Sequence, residues 1–273
     1  MTVITILYAI LTMGALGALF SVGLSIASKK LSVEEDPRLI EIIDLLPGSN
    51  CGACGFAGCA AMAEAILKGD MEPSSCPVAN SESIEKISKL LGLEVKEKVR
   101  NVAVVLCRGD RKNQKKKAEY IGVESCLAAH LVGGGERACN WGCIGFGDCV
   151  DVCPFDAIYM SPDGIPVVDR DKCTGCGKCV EACPRNIIEL HPINRNVFVL
   201  CKNRDNPRLA RSVCSAACIS CGICERATGG EGFKVIDNLA VVDYEKYTKE
   251  PILPTDKCPT KCIVIVGDPE KEK

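Results

Sequence analysis

Apolar residues run unbroken at the start of the chain, recur twice at helical spacing, and then give way to short alternations. Residues 2–28 contain no charged side chain. As a helix these 27 residues extend about 40 Å, enough to cross a bilayer with some tilt. Gly14, Gly17 and Gly23 suit lipid better than water, and Gly14, Ala18 and Ser21 leave one face small enough for a partner helix. A secretory leader would need a positive start, a shorter apolar core and a small-residue cleavage site, so the run predicts a retained anchor. Asp36-Pro37 opens a second helix, with Leu39, Ile40, Ile43 and Leu46 on one side and Pro47-Gly48 as its stop. A short helix is expected near Ala60–Leu67. An amphipathic one is expected over Ser83–Leu91, with Ile84, Ile87, Leu90 and Leu91 inward and Gly92 ending it. Val102–Leu106 reads as a buried strand, and from Cys139 onward the pattern is short hairpins and cysteine loops.

Charge adds little: 33 Lys+Arg oppose 35 Asp+Glu over 273 residues, and only 4% of residues are aromatic. That balance argues against a nucleic-acid binder, and the apolar content argues against a disordered chain. The run RKNQKKK, Arg111–Lys117, reads first as a solvated loop and second as a docking point for an acidic partner. Lys29 and Lys30 follow the apolar run, so the positive-inside rule places the remainder in the cytoplasm. That compartment is reducing, which favours metal-binding or catalytic roles over disulfides for the 21 cysteines.

Their spacing carries the chemistry. Cys153-Pro154 precedes Cys173-x2-Cys176-x2-Cys179-x3-Cys183-Pro184, the bacterial ferredoxin arrangement for 4Fe–4S cubanes. Each short spacing wraps a turn of backbone round the cube, and Gly175 and Gly177 ease that wrapping. In two-cluster ferredoxins the last cysteine of a run serves the other cluster. Cys153, Cys173, Cys176 and Cys179 therefore form one expected set, while Cys183 crosses to the preceding group. There Phe146 occupies the place of the middle cysteine, and Cys139 is the expected substitute, giving Cys139, Cys143, Cys149 and Cys183. Zinc also takes four cysteines, but usually in two separated pairs.

The cysteines also reveal an internal repeat at an offset of 75: Cys139, Cys143 and Cys149 return as Cys214, Cys218 and Cys224, and Cys183-Pro184 as Cys258-Pro259. In the copy Cys221 stands at the place of Phe146, Thr228 at that of Cys153 and Tyr247 at that of Cys173. The copy is expected to keep one cluster, on Cys218, Cys221, Cys224 and Cys258, with Cys214 or Cys262 competing as fourth ligand. An earlier group, Cys51-x2-Cys54-x4-Cys59-x16-Cys76, lies among glycines and fits another cubane, with zinc as its alternative. Four clusters thus take sixteen cysteines, and Cys107, Cys126, Cys201, Cys214 and Cys262 are left as inert buried thiols.

The sequence offers no c-type haem attachment, no dinucleotide fingerprint and no nucleophile with a base partner. With only His130 and His191, neither in a cysteine run, a Rieske centre is not expected.

The anchor, the group at Cys51, Cys54, Cys59 and Cys76, the run CNWGCIGFGDCVDVCPFDAI and the ferredoxin pair through Cys183 together resemble the B subunits of Rnf complexes, membrane-bound ferredoxin:NAD oxidoreductases that couple electron transfer to ion pumping. The resemblance implies a subunit without flavin or nicotinamide, which accepts electrons from soluble ferredoxin and relays them to other subunits. An anchored polyferredoxin serving a hydrogenase and a zinc-bearing redox sensor are the alternatives. A corrinoid-dependent methyl-transfer role, suggested by the first cysteine group, lacks any cobalamin-binding portion. The expected fold class is α+β: anchor (1–30), small helical 4Fe–4S domain (31–95), connecting segment (96–138), two-cluster ferredoxin-like module (139–192) and a degenerate one-cluster module (193–273). The expected location is the inner cell membrane, single-pass, with the cysteine-rich part cytoplasmic.

Overall fold

The computed structural model describes residues 2–31, 36–94, 99–247 and 255–266. The chain divides into two compact units, residues 1–42 and 43–273. In the first, α1 (Thr2–Leu31) is one continuous helix whose large apolar side chains, such as Ile4 and Leu24, are exposed. An exposed apolar surface along 27 residues fits a lipid surrounding. α2 (Pro37–Leu45) follows, with Asp36 accepting the Arg38 amide at 2.9 Å. Leu46, just after it, is buried as expected, but within the helix Ile42 is buried and Ile40 is exposed, a departure from the expected face.

α3 (Cys59–Lys68) and α4 (Ser81–Leu91) come next. Asn80 caps α4 by accepting the Ser83 amide at 2.7 Å, and Gly92 ends it in the left-handed region. Ile84 and Ile87 are buried as their spacing predicts. The boundary expected between residues 95 and 96 lies outside the described residues.

The rest is built twice. The first copy holds β1 (Asn101–Val105), α5 (Cys126–Leu131), α6 (Asp148–Asp151), β2 (Ile158–Met160), β3 (Pro166–Val168), α7 (Lys178–Glu181) and β4 (Ile188–Pro192). The second holds β5 (Val197–Val199), α8 (Pro207–Val213), α9 (Ile223–Ala227), β6 (Phe233–Ile236), β7 (Leu239–Val242) and β8 (Ile263–Ile265). Among the described residues the strands form antiparallel pairs: β1–β4 and β2–β3 in the first copy, β5–β8 and β6–β7 in the second. The segment expected to be a mere connection therefore supplies β1 and α5 to the first module.

Backbone bonds show the repeat. The Asp169 amide donates to Ala157 at 2.8 Å, and the Asp243 amide to Gly232 at 2.8 Å. The Leu106 amide donates to Ile187 at 2.7 Å, and the Leu200 amide to Cys262 at 2.7 Å. The copies differ chiefly in one loop: 31 residues separate Cys107 from Cys139, but 12 separate Cys201 from Cys214. The longer loop carries α5.

Candidate metal centres

Three cavities of similar size are lined by cysteines of the two modules. The second of these is lined by Cys153, Cys173, Cys176 and Cys179, the set expected from spacing. Gly175 and Gly177 both lie at positive φ on its wall, and a Cβ on Gly175 would run into the Asn101 carbonyl oxygen. The Ala103 amide donates to the Cys173 sulfur at 3.4 Å. Burial pushes the Cys179 thiol up to about 12.

The first cavity groups the cysteines differently from their spacing. It is lined by Cys143, Cys149 and Cys183 together with Cys126, and Cys139 is not on its wall. Asp148 draws Cys126 into place, accepting the Cys126 amide at 2.7 Å, the Leu127 amide at 3.1 Å and the Ser125 hydroxyl at 2.9 Å. Burial works against its charge, yet these donors hold the Asp148 carboxyl below its ordinary value. The helix start of α5 is thereby pinned to α6, and its first residue faces the cavity. Phe146 instead turns its ring to Tyr120, 5.3 Å between centroids. Burial pushes Cys149 up to about 12, with further repulsion from Cys126 and Cys183.

The third cavity is lined by Cys218, Cys221, Cys224 and Cys258, with Cys262 also on its wall. Cys262 lies 3.6 Å from Cys258, sulfur to sulfur, and a hydrogen bond from Cys262 holds Cys258 down at about 5. Cys214, the other expected competitor, is not on this wall. At the place of the second cluster in this module Tyr247 follows the same turn as Cys173, each amide bonding the Asp at its start, and packs edge-on against Phe233 at 5.5 Å.

In the first cysteine group Asn50 accepts the Cys59 amide at 2.8 Å, and a Cβ on Gly58 would approach the same Asn50 oxygen to 2.8 Å. Burial pushes the Cys76 thiol up, with added repulsion from Cys54 and Cys51, so these sulfurs are neighbours. Cys176 is also pushed up, first by burial, and Cys51 contributes repulsion there too.

The basic run Arg111–Lys117 spends much of its charge locally. Lys112 pairs with Asp163 at 2.9 Å, Lys116 with Glu136 at 2.7 Å, and Lys117 donates to the Gly133 carbonyl at 2.6 Å. Gln114, in its middle, is buried.

Sulfurs in such cavities fit a cubane: the walls are apolar, the glycine turns bring backbone close, and in the first two cavities burial disfavours the thiolates until a cationic centre binds. The Fe–S cluster family model (FeS) matches residues 46–78, and the 4Fe-4S dicluster domain model matches residues 138–187. Among curated proteins, the chain is 42% identical to the B subunit of the Na(+)-translocating ferredoxin:NAD(+) oxidoreductase complex of Acetobacterium woodii, over 96% of this chain and 78% of the relative. It is 40% identical to the B subunit of the ion-translocating oxidoreductase complex of Methanosarcina acetivorans, over 88% and 91%. It is 38% identical to the counterpart from the proton-translocating ferredoxin:NAD(+) oxidoreductase complex of Clostridium ljungdahlii, over 88% and 84%.

Proposed function

This chain belongs to the B-subunit family of ion-translocating oxidoreductase complexes, and from that premise we propose that it relays electrons from reduced ferredoxin to flavin-bearing, NAD-reducing partners in the membrane. It is an iron–sulfur protein associated with the membrane. The clusters would be held by Cys51, Cys54, Cys59 and Cys76; by Cys126, Cys143, Cys149 and Cys183; by Cys153, Cys173, Cys176 and Cys179; and by Cys218, Cys221, Cys224 and Cys258. When bound, each supplies a one-electron couple. The chain's own residues contribute position and potential: amides such as those of Ala103 and Ala240 donate to ligand sulfurs at 3.4 Å, and apolar walls exclude water.

The observation that carries this reading is the adjacency of the cysteine groups. Cys143, Cys149 and Cys183 of one cavity share a packed core with Cys153, Cys173 and Cys179 of the next. A series of neighbouring redox centres is suited to conduction, not bond making. The apolar helix α1 carries no charge before Lys29, so the ions pass through partner subunits. Lys29 and Lys30 favour a cytoplasmic cysteine-rich portion, where soluble ferredoxin has access.

The test is reduction of the anaerobically purified complex by reduced ferredoxin. The clusters of this subunit are expected to bleach as ferredoxin is reoxidised. Clusters that stay oxidised, or a protein with zinc and no iron, would overturn the proposal.

A further inference from the structure

Four cysteines that line none of the three cavities form a group of their own. Cys107 and Cys139 come from the first module, Cys201 and Cys214 from the second, and Cys107, Cys139 and Cys214 are buried. A Cβ on Gly142 would lie 3.4 Å from the Cys107 sulfur and 3.4 Å from the Cys139 sulfur, so both face the same bare backbone. Asn203, 2% exposed, joins the next pair: its amide donates to Cys201 at 3.4 Å and its side-chain Nδ2 to Cys139 at 3.5 Å. Gln114 joins the last, bridging the Cys214 backbone while its Nε2 stands 3.9 Å from the Cys107 sulfur.

The group has an approximate two-fold arrangement. Cys107 accepts from the amide of Gly109, two residues on, at 3.4 Å and from that of Cys143 at 3.3 Å. Cys201 accepts from the amide of Asn203, two residues on, at 3.4 Å and from that of Cys218 at 3.3 Å. Cys139 and Cys214 stand four residues before Cys143 and Cys218 in turn. We propose that Cys107, Cys139, Cys201 and Cys214 hold a fifth 4Fe–4S cubane at the junction of the two modules.

A neutral thiol is a weak acceptor and does not attract several buried N–H groups. Thiolates on an iron cluster do, and the Cys173 and Cys218 sulfurs, each in one of the three cavities, receive amides at the same 3.4 Å. Gln114 Oε1 is buried without a partner among the described residues, an unsatisfied polar atom beside the group. The cube is taken up intact, its four irons replacing the thiol protons, which are released to solvent; no oxidant or reductant is consumed. The location also has a use. The backbone of Cys143 touches Cys107 and that of Cys218 touches Cys201, so the fifth cubane would bridge the first module's cluster and the C-terminal one.

The identity of the ligand as a cubane rests on the proposed function; the grouping of the four sulfurs does not. The experiment is iron and acid-labile sulfide quantitation, with paramagnetic resonance, on the anaerobically purified full-length protein in its complex. Five cubanes predict about 20 irons per chain. The Cys107→Ser/Cys201→Ser variant is expected to retain about 16, with the other resonances in place. About 16 irons in the unmodified protein, or no loss in the double variant, would overturn the fifth site while leaving the electron-relay reading standing. Zinc with no iron would overturn both. Asn203→Ala keeps every ligand and provides a second measure: the iron count holds and one cluster alone moves to more negative potential. A full count with all potentials unchanged would overturn the assignment.

Discussion

Cys126 shows how a proposed ligand is hidden from sequence reading. Cysteine runs are legible because each short spacing wraps one turn round a cube, as for Cys173, Cys176 and Cys179. Cys126 lies in a different loop from Cys143 and is delivered by three bonds to Asp148, none of which has a sequence signature. Cys139 is nearer in sequence and so the natural expectation, but it faces Asn203 instead. Two outcomes follow. Cys126→Ser should remove about four irons and the resonance of the first module's cluster, whereas Cys139→Ser should leave that resonance intact; parallel metal analysis and paramagnetic resonance compare them. Asp148→Ala should destabilise the protein by about 1–2 kcal/mol, the scale of a lost helix cap, measured by thermal unfolding under anaerobic conditions.

Among elements, the informative comparison is between the long loop of the first module and the short one of the second. The second module keeps the regular spacing through Cys221. The first has Phe146 at that position and 31 residues, not 12, in the loop that carries Cys126. The insertion thus supplies what the substitution removed. A compensating swap should work: Cys126→Ser/Phe146→Cys is expected to regain the irons that Cys126→Ser alone loses, read by the same metal analysis. At Gly175, φ is +72° and the Asn101 carbonyl blocks a side chain. Gly175→Ala should therefore cost about 1–3 kcal/mol in thermal unfolding and loosen the strand entry beside Cys173.

The end of α4 is legible at Gly92, whereas its start, capped by Asn80, precedes the expected Ser83. The inward face of α2 is not legible, because Ile40, Ile42 and Ile43 are equally apolar and only tertiary packing distinguishes them. The strand at Val102–Leu106 is visible, but its pairing with β4 is not, since 82 residues separate the end of one from the start of the other. That pairing turns an expected linker into part of the first module.

At the scale of the whole molecule, the anchor and the repeat are both readable, one from an uninterrupted apolar run and the other from an offset of 75. Deleting residues 2–31 should move the protein from the membrane to the soluble fraction without changing its iron content, checked by fractionation and metal analysis. The docking of the two modules is not readable, because its bonds, many of them between backbones, have no sequence signature. The Arg108 amide donates to Leu200 at 3.1 Å, that of Lys115 to Val213 at 3.0 Å and that of Ser215 to Asn113 at 2.9 Å.

This junction also bears on how the protein matures. Sites confined to one module can be loaded as soon as that module folds during synthesis. A site that draws Cys107 and Cys139 from one half and Cys201 and Cys214 from the other must wait until the chain has passed Cys214 and the halves have closed on each other. Filling it would then act as a lock on finished assembly. A chain truncated before Cys201 would keep the first module's iron yet leave Cys107 and Cys139 as an open half-site, exposed to air and to stray metals.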